Sequence, residues 1–120
     1  KMHRVNLDAM EACMAALKPG RPIGEVFDAY ARICDEAEMK EHRLNATGYS
    51  LGTTFAPNWM DWPMFYHGNP VLAAENMVFF LHMILMDSDT NHAMCFGHTV
   101  VVTATGCVSL SKRSLDLVVK

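Results

Sequence analysis

The sequence predicts an α+β domain, with two helices laid on one face of a largely antiparallel sheet. Three observations lead there. Two stretches near the start repeat their apolar residues at helical spacing. Residues 76–86 and 93–103 read as two long strands with a polar break between them. Glycines and prolines cluster between the helical and strand-like regions, where the chain must turn.

The first helix is expected over about residues 4–17. Met10, Cys13, Met14 and Leu17 line one side, with Asp8 and Glu11 turned away. Lys18-Pro19-Gly20 stops it, and Pro22 is placed to open the next. That second helix, about 23–39, buries Ile23, Val26, Phe27, Tyr30, Ile33, Cys34 and Ala37. A charged connector leads to a strand over about 43–49, closed by Gly48 and Gly52. Residues 53–70 form a long aromatic loop holding three of the five prolines and both tryptophans. So aromatic a loop is expected to pack on the domain, a partner or a ligand. The two long strands follow, and a short strand at 107–110 closes the sheet. With the turn centred near Asp89 and Thr90, residues pair where their numbers sum to about 180, which sets His82 opposite His98.

The composition excludes several classes. The chain has 120 residues, 51% of them hydrophobic, enough for one modest core. Its net charge is -3 and its ten Lys and Arg are scattered, so no nucleic-acid partner is expected. The longest apolar run, 77–86, is interrupted by His82 and too short to cross a bilayer, and no signal peptide is visible. Four cysteines without CxxC spacing, two on helix faces and two in strands, read as reduced, buried thiols of a cytoplasmic protein.

The candidate site residues each carry two readings. His82 is a general base or substrate anchor in a dry sheet, or a satisfied core histidine. Tyr49, between Gly48 and Gly52, is a phenol at a pocket edge or a packed tyrosine. Asp61, with Trp59 or Trp62, could hold a cationic substrate group, or make a turn hydrogen bond. His67 and His98 are weaker substrate contacts. His82 and His98 lack a carboxylate beside them, so no metal and no other cofactor is assigned.

Residues 17–27, Leu-Lys-Pro-Gly-Arg-Pro-Ile-Gly-Glu-Val-Phe, resemble a motif of the creatinase/aminopeptidase or "pita-bread" family, peptidase family M24. Gly48-Tyr-Ser-Leu-Gly52 sits where that family has Gly-His-Gly-Ile-Gly. Residues 72–83 and 99–107 resemble its last two sheet motifs. The resemblance covers nearly the whole chain and implies the second half of a pita-bread domain on a curved sheet. The half with the family's paired metal-binding aspartates should precede Lys1. By the same resemblance a metal-ligand histidine falls on Tyr49, one glutamate ligand on His82 and the last on Gly97. A further active-site histidine falls near Ala56. These replacements, with the Tyr49 segment and the Pro/Asp/Trp loop, look most like the metal-free creatinase and ectoine-hydrolase branch. That branch implies a C–N hydrolase acting on a small solute-like substrate; the family resemblance implies a homodimer, and this half alone is expected to be inactive on any reading. The alternatives are a dimetal Xaa-Pro dipeptidase or aminopeptidase with ligands in the preceding half, and a silent ligand-binding or dimerisation domain.

Overall fold

A computed structural model describes residues 1–52, 55, 57, 58 and 60–119. Two helices, α1 (Met2–Ala16) and α2 (Gly24–Glu36), precede five strands. These are β1 (Gly48–Ser50), β2 (Asp61–Met64), β3 (Val78–Asp87), β4 (His92–Val102) and β5 (Cys107–Ser109). They form one sheet in the order β2-β1-β3-β4-β5, every neighbouring pair antiparallel. The expected α+β architecture is what the chain adopts.

Alternation along β3 decides which face the helices cover. Phe79, Leu81, Met83 and Leu85 are fully buried under them, whereas Val78, Phe80, His82 and Ile84 are half-buried on the open face. Val100 and Val102 of β4 join the covered side. Val5, Ala9, Met10 and Cys13 of α1 meet Val26, Phe27, Tyr30 and Cys34 of α2 in the same core. Two polar contacts fix the helices over the sheet. The Tyr30 hydroxyl donates to the Ile84 carbonyl at 2.8 Å, and the Asn6 amide donates to the Met94 carbonyl at 3.1 Å.

The connection between the helices is tied down from below. Leu17 leaves α1 extended, Gly20 takes φ 79°, and the Gly20 N–H donates to the Ala73 carbonyl at 2.8 Å. At the start of α2, a β-carbon on Gly24 would come within 2.7 Å of the Asn69 backbone nitrogen, so only glycine allows this approach.

Two regions differ from the sequence reading. The strand expected over 43–49 is confined to Gly48–Ser50, because residues 43–47 touch β3 only intermittently. Arg43 makes an isolated bridge to Leu85, Thr47 accepts from the His82 N–H at 2.9 Å, and Leu44 and Asn45 between them are exposed. The aromatic loop, in turn, contains strand β2, which pairs back on β1 through Tyr49↔Met64.

The long hairpin closes with a four-residue turn, because Asp87 pairs with His92. Asp87 organises it: its carboxylate accepts from the Asp89 and Thr90 N–H groups and from the Thr90 hydroxyl, while Asn91 sits at φ 56°. Paired numbers therefore sum to 179, one less than expected. His82 faces Gly97, and His98 faces Leu81. The expected His82–His98 pairing is thereby corrected, and the two imidazoles lie on opposite faces.

All four cysteines are free. Cys13 and Cys34 are buried, but Cys95 is exposed, which corrects the expectation of four buried thiols. Among the described residues, no helix is long and apolar enough to cross a membrane.

Candidate functional site

The open face of the sheet carries the site. Tyr49 pairs with Phe80, so its ring falls on the same face as Phe80 and His82. The Tyr49 and His82 ring centroids lie 6.3 Å apart at an interplanar angle of 81°, and Phe80 stands 5.0 Å from His82. Both Tyr49 and His82 line a cavity of about 220 Å³, with Leu44, Met60, Met64 and Ile84 completing its mostly apolar wall. A larger cavity of about 410 Å³ lies on another part of the molecule, between Met2, Met39, Met94 and Leu117.

Burial lowers the His82 pKa below its ordinary value, so the imidazole is held neutral. Its Nε2 lies 3.0 Å from Cys95 Sγ. Partial burial there raises the Cys95 pKa and keeps the thiol protonated. The two groups meet as a neutral imidazole and a neutral thiol.

The remaining sequence candidates do not join this pair. Asp61 stays near β1, its Oδ1 accepting from the Trp62 N–H at 2.9 Å, and it lies outside the cavity wall. Its carboxylate fills the space a β-carbon on Gly52 would need. Trp62 is 67% exposed and Trp59 lies outside the described residues. His67 pairs with Asp28 of α2 at 2.8 Å on the protein surface. His98 faces the helices, with Nδ1 3.2 Å from the Ser109 hydroxyl and a buried Nε2 that has no partner among the described residues. Ala56, too, lies outside the described residues.

Two residues of the site escaped the sequence reading: Phe80 walls the imidazole, and Cys95 touches it. The signal that finds them is the register. Once His82 is set opposite Gly97, residue 95 follows on the same face at the diagonal position.

The first 104 residues match the model of metallopeptidase family M24. The chain belongs to this family. No curated protein matches it. Among solved structures it is similar to a dipeptidase PepE from Mycobacterium ulcerans, at 22% identity and TM-score 0.87 over 97% of this chain and 30% of that one. A prolidase from Pyrococcus horikoshii OT3 shares 19% identity at TM-score 0.87, over 98% and 32%. An X-Pro aminopeptidase from Thermotoga maritima MSB8 shares 18% identity at TM-score 0.85, over 96% and 31%. The chain is the second-half, pita-bread-like part of the M24 architecture and spans about a third of the length of these proteins.

These neighbours correct one expectation. They are named for dipeptidase, prolidase and aminopeptidase activity, which overturns the assignment to the metal-free creatinase and ectoine-hydrolase branch and the function drawn from it. That assignment leaned on five residues around Tyr49 and a loop, whereas the fold similarity runs along nearly the whole chain.

The family implies a pair of metal ions, and the donors in this half do not fit it. Of the three positions where the family resemblance puts ligands, Tyr49 carries a phenol, His82 one imidazole and Gly97 nothing. A β-carbon on Gly97 would overlap the Phe80 ring and approach the Leu81 carbonyl oxygen at 2.5 Å. No side chain returns to that position without displacing Phe80. Among the described residues, no three His, Cys, Asp or Glu side chains are grouped to hold a metal ion.

Proposed function

We propose that the intact protein is a peptidase of the prolidase and Xaa-Pro aminopeptidase kind, hydrolysing the C–N bond of a small peptide. One observation carries this reading. Tyr49 and His82 line one cavity, and Gly97 lies across from His82 on the same face, which supports reading these three positions, picked out by the family resemblance, as one site. In it, His82 presents the Nε2 lone pair, Tyr49 donates a hydrogen bond to charge developing on the scissile carbonyl, and the apolar wall excludes water. Asp61, Trp62 and His67 take part only if the preceding half or a substrate reaches the edge of the sheet. That preceding half closes the pocket and supplies the ligands absent from this one.

The same proposal includes a homodimer and a cytoplasmic setting. Exposed Phe55, Trp62 and Tyr66 give β2 and its flanking segments an aromatic surface suited to an interface, and four free thiols suit a reducing compartment.

A second reading is favoured by one observation, the Phe80 ring lying where a Gly97 side chain would be. On that reading the domain binds peptides without cleaving them. The test uses the intact protein, stripped of metal and then supplied with manganese, cobalt or zinc, against Xaa-Pro and Xaa-Ala dipeptides. Metal-dependent cleavage is expected. Peptide binding by calorimetry without any turnover would overturn the peptidase reading in favour of the silent one.

A further inference from the structure

We propose that Leu44, Met60, Met64 and Ile84 form a specificity pocket that admits an apolar side chain of the peptide and turns away a charged one. The inference rests on the peptidase reading above. It names the part of the substrate that the cavity holds, the side chain of the residue whose carbonyl meets Tyr49 and His82.

Register builds the pocket. Tyr49 pairs with Met64 of β2, so the methionine stands on the open face beside the phenol. Ile84 follows His82 by two residues on β3 and shares its face. Arg43 bridges to Leu85, and Leu44, next in the chain, lines the same cavity as Ile84. Met60, just before β2, completes the wall. All four line the cavity of about 220 Å³ that Tyr49 and His82 also line.

Size and chemistry select the occupant. Sites for drug-sized ligands run from about 300 to 1,000 Å³, so this smaller cavity takes one side chain rather than a whole peptide. Among the described residues that line it, none is Asp, Glu, Lys or Arg. Asp61 lies outside the wall, its carboxylate turned to the Trp62 N–H and to Gly52. A charged side chain entering here would give up its water without gaining a partner. An apolar one gains by leaving water for the wall. Met60 and Met64 make that wall adaptable, because unbranched side chains reshape around different occupants and their sulfurs pack well on aromatic rings. Leucine and phenylalanine should therefore be accepted alike.

The test measures kcat and KM of the intact, metal-supplemented protein for Leu-Pro, Phe-Pro, Asp-Pro and Lys-Pro. Calorimetry with the metal-stripped protein reads affinity for the same four dipeptides. Leu-Pro and Phe-Pro should fall within about tenfold of each other, and both at least about tenfold above the charged pair in kcat/KM. The difference should lie in KM, as expected of a contact made equally before and during the reaction. Met64→Glu should raise Lys-Pro above Leu-Pro. Leu44 is already 38% exposed, so Leu44→Glu repeats the test where Met64→Glu does not fold. Four peptides treated alike, or a ranking that both variants leave unchanged, overturns the pocket, and with turnover intact the peptidase reading stands. The expected ranking in calorimetry without turnover supports the pocket and counts against the peptidase reading.

Discussion

His82 is held against Phe80, Tyr49 and Cys95 on the open face of the sheet, and its burial has a measurable consequence. The folded-state pKa lies below the ordinary 6.5, so between those values the unfolded chain binds more protons. Stability therefore falls as pH drops from about 6.5 toward the folded value. His82→Ala should flatten that part of the curve, read from urea midpoints at pH values about one unit either side of 6.5. Gly97→Ala tests the neighbouring constraint. Its β-carbon meets the Phe80 ring and the Leu81 carbonyl, so a loss of about 1–3 kcal/mol is expected in the same urea experiment. The residue scale was partly legible. Tyr49 and His82 could be named because a glycine turn and an imidazole in an apolar run stand out in sequence. Cys95 could not, because its partner depends on a one-residue difference in register that only the turn decides. His67 and His98 looked like Tyr49 and His82 in sequence, but one pairs with Asp28 and the other faces the helices.

At the scale of elements, the helices and the long hairpin follow from periodicity. The first strand and β2 do not, because short pieces at a sheet edge carry too few residues for a pattern. Aromatic, proline-rich residues 61–64 read as loop until β1 is there to pair with them. The hairpin anchors the rest. Phe79 is fully buried and packs on Phe65 at a ring-centroid distance of 4.7 Å, so Phe79→Ala should cost about 3–5 kcal/mol. Differential scanning calorimetry of the intact protein would show this as a lower transition. A smaller effect belongs to the end of α2. Asp35 holds Arg43 through two hydrogen bonds of 2.6 and 3.1 Å, and Arg43 in turn lies 5.6 Å from the centre of the Phe27 ring. The bond from Arg43 holds the Asp35 carboxyl below its usual range, so its contribution is present above pH 4 or so and lost as pH falls through the lowered value. With Asp35 more than a third exposed, Asp35→Asn should cost no more than about 1 kcal/mol near neutral pH, and less in acid.

On the scale of the whole molecule, the sheet presents one covered and one open face, and the open face holds the cavity. Membership of the M24 family was legible in short motifs spread along the chain, and the family match over residues 1–104 agrees with it. The branch within the family was not, because five residues around Tyr49 are too few to set against the fold as a whole. Since this half brings one imidazole and one thiol where the family needs several ligands, residues 1–120 alone should hydrolyse no dipeptide even with metal added. The most direct measurement is kcat/KM of the intact, metal-supplemented protein for an Xaa-Pro dipeptide, in the wild type and in His82→Ala. A wild type that turns over, and a folded His82→Ala reduced by about 100-fold or more, is the expected result. Equal turnover by both proteins, or none by the wild type, would contradict the placement of a peptidase site on this face.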